Sequence, residues 1–211
     1  MFTPTRIKLA VITSTAAVAL IAAGCSDNDD SSMSGMDHSS TSATATTSAQ
    51  AATRTDFDED DVMFLQMMYP HHAQAIEMAK MVPSRSQNQE LLTLAQNIEQ
   101  AQGPEMQQIT TLLTAFGKGA PSPTTTGHEG GHGGMTGMMT DDQMKTLATL
   151  SGAEFDKQWL QMMIDHHTGA VDMANAELTD GVNPDAKAMA KAIITGQQTE
   201  IDQMKTMLRQ S

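Results

Sequence analysis

The chain has 211 residues, a formal net charge of −13, one cysteine and 19 methionines. The acidic balance argues against nucleic acid or an anionic lipid surface as a partner, because both carry negative charge. A lone cysteine leaves no intramolecular disulfide. The length is enough for one domain with a hydrophobic core, or for two small ones.

The N-terminus has the layout of an export signal. Arg6 and Lys8 precede an apolar stretch from Leu9 to Ala23, which ends in the small residues of AAGC. This pattern predicts a signal peptide over residues 1–24, whose removal makes the chain more acidic still. Cys25 resembles the lipidated cysteine of a bacterial lipoprotein. We therefore expect an exported protein, lipid-anchored to the outer face of the cell membrane or in the periplasm.

Two segments are predicted to be irregular. Residues 25–55 are rich in Ser, Thr, Ala and Asp without apolar periodicity, which indicates a disordered tether. Residues 117–139 are too rich in Gly and Pro for a helix or strand. Both contain potential auxiliary metal ligands that no core requires, with compositional drift as the alternative explanation. They are His128, His132, Met135, Met138 and Met139 in the loop and Met33, Met36 and His38 in the tether.

The rest of the chain repeats itself at a constant offset of 95 residues, so that FLQMMYPHHAQAIEMAKM from residue 64 corresponds to WLQMMIDHHTGAVDMAN from residue 159. The same offset continues downstream, where Gln102 and Glu105 correspond to Gln197 and Glu200. No insertion separates the two blocks. This predicts a copied two-helix unit, with repeat one over residues 56–116 and repeat two over residues 140–211.

Each repeat is predicted to form a helix pair. The first pair runs from Asp58 to Val82, ended by Pro83, and from Ser86 to Phe116, with Gly103-Pro104 expected to kink or interrupt its second helix.

A short helix is predicted from residue 140, before the second pair. The capping-box pattern SGAE opens the next helix at residue 151, and this helix ends near Leu178. Asn183 and Pro184 cap a last helix that continues nearly to the C-terminus. Four amphipathic helices with one long central crossover predict an all-α four-helix bundle over residues 56–211.

Both histidines of each repeat fall on the core-facing side of their helix. At about 100° per residue, Met67, His71 and Met78 lie within about 40° of each other, and His72 follows on the same apolar arc. Glu105 falls inside the apolar stripe of its own helix, as does Glu200 in the second repeat. A buried carboxylate requires a partner, and the histidines are the nearest candidates.

Paired histidines facing duplicated glutamates favour a metal site over a purely structural hydrogen-bonded network. Thioether sulfur with imidazole suits Cu(I), although filling of the core is the alternative explanation for any single methionine. Four polar residues are predicted either to orient the imidazoles or to bind directly, which would favour Zn(II), Cu(II) or iron: Glu105, Glu200, Gln102 and Gln197. The predicted ligands are Met67, Met68, His71, His72, Met78, Met162, Met163, His166, His167 and Met173.

The segment LATLSGAEFDKQWLQMMIDHHTGAVDMA, residues 147–174, resembles the signature of the domain-of-unknown-function family 305. Residues 64–81 resemble the same signature without the preceding Leu-x-x-Leu-x-Gly segment. The resemblance covers approximately residues 56–211. It implies a ferritin-like four-helix fold, export and a link to copper handling, with the four core histidines as the residues of interest.

The leading hypothesis is an extracytoplasmic copper-binding lipoprotein that buffers, stores or hands on Cu(I) without catalytic turnover. Its candidate partners are the metal ion, the membrane, a copper-transfer protein and a second copy of the chain. Zinc and iron are less favoured. A redox metalloenzyme with a His/Glu site is one alternative, which the absence of Glu-x-x-His from the predicted helices disfavours. A structural or interaction domain is the other.

Overall fold

The computed structural model describes residues 53–123 and 135–210, and all regular secondary structure in these ranges is helical. The all-α class is therefore confirmed for the described part of the chain. The signal, Cys25, the tether ligands Met33, Met36 and His38, and the loop residues His128 and His132 lie outside it. The helices are α1 Glu59–Arg85, α2 Gln89–Ala115, α3 Asp141–Thr149, α4 Gly152–Asp180 and α5 Pro184–Gln210. None of them is both long and apolar enough to cross a membrane.

The long helices pack mainly against their neighbours in the chain. α1 packs along α2, α4 packs along α5, and α1 also packs against α4, whereas α2 and α5 touch only sparsely. The indole N–H of Trp159 on α4 donates to the Met78 carbonyl of α1 at 2.8 Å. The α1–α4 interface is therefore the contact that joins the two helix pairs.

Helix α1 begins at a reciprocal cap and ends later than predicted. The Asp58 carboxylate accepts from the N–H groups of Asp60 and Asp61, and the Asp58 N–H donates to the Asp61 carboxylate. The predicted end at Val82 is wrong, because α1 continues through Pro83 to Arg85. A proline this close to the end removes only one helical hydrogen bond, and Arg85 fastens the last turn by donating to the Ala148 carbonyl at 3.2 and 3.0 Å.

Helix α2 is continuous across Gly103-Pro104, so the predicted interruption does not occur. Pro104 is exposed, and so is Gln100, the residue whose carbonyl loses its helical donor. Water can satisfy that carbonyl, which makes proline tolerable on this face. Asn88 caps the helix by accepting from the N–H groups of Glu90 and Leu91.

The predicted cap of α5 is confirmed. Helix α4 begins directly after Ser151, as predicted, but without the predicted capping box. The Asn183 side chain accepts from the N–H groups of Asp185 and Ala186, both at 3.0 Å. Ser151 makes no side-chain capping bond, because Gly152 at φ +62° turns the backbone away from the geometry of a capping box. The reciprocal caps belong instead to α1 and to the predicted short helix α3, where Thr140 pairs with Gln143.

Residues just before α1 lie against the ends of other helices. The Arg54 N–H donates to the Ala115 carbonyl at 2.8 Å, and the Arg54 guanidinium pairs with Asp56 and Asp185. Phe57 stacks on Phe116 with ring centroids 4.2 Å apart. Ordered contacts therefore begin before residue 56, inside the segment expected to be tether.

Candidate metal centre

Two histidines meet at the α1–α4 interface. The rings of His71 on α1 and His166 on α4 have centroids 3.8 Å apart and planes tilted by 39°. The two residues are 0% and 1% exposed, and none of their ring nitrogens has a hydrogen bond of ordinary geometry with residues 53–123 or 135–210. Buried polar side-chain atoms are nearly always paired, so this cluster of unpaired nitrogens is exceptional.

Burial keeps both of these rings neutral. It lowers the pKa of His71 to about 3, helped by His72 and His167 and opposed by the nearby Thr136 backbone. Burial, followed by His71 and the two other histidines, also places the pKa of His166 well below its ordinary value. A neutral imidazole has a lone pair for a metal ion, so the pair forms a set of nitrogen donors at physiological pH.

The other two histidines each contact a glutamate. His72 Nε2 lies 2.7 Å from Glu105 Oε2, and His167 Nε2 lies 2.7 Å from Glu200 Oε2. The rings are 0% exposed, whereas the glutamate side chains are 24% and 16% exposed. The two contacts therefore combine a buried imidazole with a carboxylate that reaches the surface.

These contacts determine which nitrogen of His72 and His167 is available. A carboxylate only accepts hydrogen bonds, so Nε2 of each ring is the donor. When the ring is neutral, its lone pair is then on Nδ1, and Nδ1 of both rings has no hydrogen-bond partner in the described part of the chain. This is the arrangement by which carboxylates orient metal-binding imidazoles in known sites.

The predicted methionines are divided among three environments. Met67 and Met173 are half-buried and line one cavity between α1 and α4. Met78, Met162 and Met163 belong to one buried hydrophobic cluster. Met68 belongs to a second such cluster.

Gln102 and Gln197 are buried, but the structure does not pair them with the histidines. Their exposed fractions are 2% and 4%, and neither amide has a hydrogen-bond partner among the residues that the structure describes. In the described residues, no three side chains among His, Cys, Asp and Glu converge so as to hold a metal ion. Thioethers are the other metal-binding groups that α1 and α4 bring to the interface.

The end of the central loop is fastened across the interface, and we call residues 135–139 the strap. The Gln74 side chain of α1 pairs with both backbone groups of Met139, each at 2.8 Å. On α4, a Cβ at Gly169 would lie 2.0 Å from the Thr136 carbonyl oxygen, so only glycine permits this approach. Met139 is buried, and Met135 and Met138 are half-buried. Three of the predicted auxiliary ligands thus belong to the strap, which packs against α1 at Gln74 and against α4 at Gly169.

Comparison with known proteins supplies the family. A family model for the domain of unknown function DUF305 matches residues 61–208, which include the four buried histidines and both glutamates that contact them. The chain belongs to the DUF305 family. The resemblance expected from the histidine motifs is confirmed. No curated protein matches the chain.

Solved structures of DUF305 relatives share this helical fold. A fragment from Deinococcus radiodurans is 31% identical with a TM-score of 0.65, covering 73% of this chain and 98% of its own. A DUF305 protein of Streptomyces coelicolor, predicted to be secreted, is 32% identical with a TM-score of 0.63, covering 72% and 93%. CopM in its Cu(I)-bound form is 31% identical with a TM-score of 0.60, covering 71% and 96%. CopM is also known in Cu(II)-bound, Ag-bound and apo forms.

This DUF305 chain also has a buried carboxyl pair that the sequence analysis missed. Burial by itself would raise the pKa of Asp61, but backbone N–H donors, including Asn183 at 2.8 Å, outweigh it and lower that pKa. Burial first and Asp61 second raise the pKa of Glu177 to about 8. One carboxylate thus stays ionised because its neighbour holds a proton.

The missed features coincide with departures from the repeat. Gln74 and Gly169 occupy equivalent positions, 95 residues apart, and both position the strap. The Gln74 side chain hydrogen-bonds to it, whereas Gly169 lets it approach because glycine has no side chain. Glu177 likewise corresponds to Val82. Comparing the two halves for differences, rather than only for identities, would have marked these positions.

Proposed function

We propose that this chain binds copper as Cu(I) outside the cytoplasm and buffers, stores or passes it on without catalytic turnover. The observation that carries the proposal is the His71–His166 contact, whose buried nitrogens make no hydrogen bond of ordinary geometry with the described residues. Leaving such groups unpaired costs free energy, so a ligand that pairs them has a reason to bind. The Cu(I)-bound and Ag-bound forms of CopM support a soft metal ion as that ligand.

The available donors favour Cu(I) over zinc or iron. Imidazole combined with thioether is a soft set, and Met67 lies four residues before His71 on the same face of α1. Met162 has the same relation to His166 on α4. Thioethers carry no proton and the two central imidazoles are neutral, so binding releases no proton from them.

The remaining predicted residues have supporting roles in this proposal. Glu105 and Glu200 hold His72 and His167 so that Nδ1 of each ring is available to the metal. Met78 and Met173 complete the thioether set beside the histidines, while Met68, Met163, Gln102 and Gln197 pack around it. The loop residues His128 and His132, with Met135, Met138 and Met139, assist the capture of the ion.

The architecture and location belong to the same proposal. We infer that α1, α2, α4 and α5 form a ferritin-like four-helix bundle built from two copied pairs. Residues 1–24 are the export signal, Cys25 carries the lipid, and the tether keeps the folded part away from the membrane. The relative of Streptomyces coelicolor predicted to be secreted supports export. A copper-transfer protein then receives the ion from the site.

Anaerobic titration with Cu(I) tests the proposal. The chain from residue 26 onward is titrated beside its His71→Ala/His166→Ala variant, with Gln107→Ala/Asp202→Ala, at two exposed positions of α2 and α5, as the control. We expect tight binding by the wild type and the control, and its loss from the interface variant. At about 100 times the dissociation constant, Cu(I) should add about 2.7 kcal/mol to the unfolding free energy. Unchanged stoichiometry in the interface variant would contradict the proposal.

A further inference from the structure

A cavity of about 140 Å³ at the α1–α4 interface brings three methionines together. Met63 and Met67 of α1 and Met173 of α4 line it. Met63 is 53% exposed, whereas Met67 and Met173 are half-buried, so the thioethers extend from solvent towards the interior. A single exposed methionine is unremarkable, but three from two helices around one cavity form a set of soft donors.

Acidic residues line the same cavity. Asp60 and Asp180 are exposed and charged, whereas Glu177 is 2% exposed and holds a proton beside Asp61 because its pKa is raised to about 8. Among the described residues, lysine, arginine and histidine do not contribute to the lining. Carboxylates at the rim of a cleft attract cations and raise their local concentration. The cavity therefore combines attraction for a positive ion with donors that prefer a soft one.

The methionines also lead towards the central histidines. Met63, Met67 and His71 are spaced four residues apart along α1, so each side chain lies beside the next, at about 6 Å between Cβ atoms. On α4, Met173 lies seven residues after His166 on the same face. Cavity and histidine pair thus lie along the same interface.

The duplicated end of the interface lacks these features. At the offset of 95, Met63 corresponds to Gln158, and Glu177 corresponds to Val82. The counterparts of Met67 and Met173 are Met162 and Met78, which are only 5% and 0% exposed. The α1–α4 interface is thus buried at the end that holds Met78 and Met162 and open at the end that holds Met67 and Met173. The open end has one additional thioether, Met63, and one additional carboxyl group, Glu177.

We propose that this cavity, the methionine port, is where a soft monovalent cation, Cu(I), enters and from which it passes along Met67 to the His71–His166 pair. This inference rests on the proposed function. Each step replaces one thioether or imidazole ligand by another, so the copper stays Cu(I) and no proton or electron is transferred.

Ag(I), which is not redox-active under these conditions, is the probe for the port. The full mature chain is labelled with ¹³C at the methionine methyl groups and titrated with substoichiometric Ag(I), with signals assigned from single Met→Leu variants. We expect the methyl signals of Met63, Met67 and Met173 to respond together. In stopped-flow mixing, Met63→Leu, which removes one soft donor and no charge, should slow Ag(I) uptake roughly tenfold, equivalent to about 1.4 kcal/mol in the barrier, and leave the final occupancy unchanged. Met207→Leu, a buried methionine of α5 outside the cavity, should load at the wild-type rate.

The outcomes separate the port from the proposed function. If the wild type takes up no Ag(I) or Cu(I), the proposed function fails and the port fails with it. If the wild type binds the metal through His71 and His166 while the Met63 signal stays still and Met63→Leu loads at the wild-type rate, the port alone is overturned.

Discussion

The four core histidines form two chemically different pairs. His71 and His166 contact each other and make no hydrogen bond of ordinary geometry within the described part of the chain, whereas His72 and His167 each contact a glutamate at 2.7 Å. Neighbouring residues on a helix point about 100° apart, so adjacent imidazoles necessarily face different helices. One identical sequence motif therefore supplies both the central donors and the carboxylate-oriented ones.

Replacing the central pair by leucine is expected to separate stability from binding. His71→Leu/His166→Leu removes buried ring nitrogens that make no hydrogen bond of ordinary geometry with the described residues, so the metal-free protein should be as stable as the wild type or up to about 2 kcal/mol more stable. The same variant should lose the stabilisation by Cu(I). Urea unfolding with and without metal measures both effects.

The matched control is His72→Leu/His167→Leu, which deprives Glu105 and Glu200 of their partners. This variant should be less stable than the wild type without metal. If the two double variants were destabilised equally, the division of the histidines into two kinds would be wrong.

At the scale of elements, the strap is the part of the loop that reaches the candidate site. It depends on Gln74, which holds the Met139 backbone, and on Gly169, which lets the Thr136 carbonyl approach α4. The Thr136 backbone is also a neighbour of His71. Strap position and histidine environment are therefore linked.

Gly169→Ala is expected to displace the strap without removing any metal donor. Its Cβ would meet the Thr136 carbonyl oxygen at 2.0 Å, and backbone cannot yield as a flexible side chain does. The variant should unfold at a lower temperature despite the better helix propensity of alanine. Thermal unfolding followed by circular dichroism measures the change.

Gly196→Ala on α5 provides the matched control, because a Cβ at that position would have no described neighbour within 4 Å. Alanine should stabilise that helix by up to about 1 kcal/mol. Equal stabilisation by both substitutions would show that the strap does not rest on Gly169.

At the scale of the whole molecule, a buried carboxyl pair ties together segments far apart in the chain. Asp61, in the first turn of α1, accepts from the N–H groups of Val182 and Asn183 between α4 and α5, at 3.1 and 2.8 Å. Glu177, near the end of α4, lies beside Asp61, and because its pKa is about 8 it keeps its proton at neutral pH. This end of the α1–α4 interface therefore depends on one retained proton.

Stability is expected to fall as pH rises through the range in which Glu177 titrates. Between its ordinary pKa of 4.5 and about 8, the folded state holds a proton that the unfolded state has released, so unfolding becomes easier with increasing pH. Glu177→Gln, which mimics the protonated group at every pH, should reduce this loss. The free energy of unfolding, measured from pH 7 to 9, tests this prediction. This range avoids the interval from about pH 3 to 6.5, where the lowered pKa of His71 makes stability rise with pH.

Glu154→Gln, the same change at an exposed position of α4, controls for net charge. It should keep the wild-type slope. A Glu177→Gln protein with the wild-type slope would mean that Glu177 ionises normally in the folded state.

The sequence by itself determined the helical class, the family and the burial of all four histidines. Those features depend on periodicity along one helix and on a constant offset, which are one-dimensional signals. The errors at Pro83 and Gly103-Pro104 arose because a local rule counts the lost hydrogen bond without knowing whether water or a neighbouring helix compensates for it.

Only the tertiary structure decided which side chains meet. Three features join residues of α1 to residues far along the chain: the contact between His71 and His166, the cavity that Met67 and Met173 both line, and the hydrogen bonds between Gln74 and the strap. The sequence determines which donors each helix carries and on which face. The way α1 packs against α4 decides which of those donors share a site, because that packing depends on the whole core rather than on any local pattern.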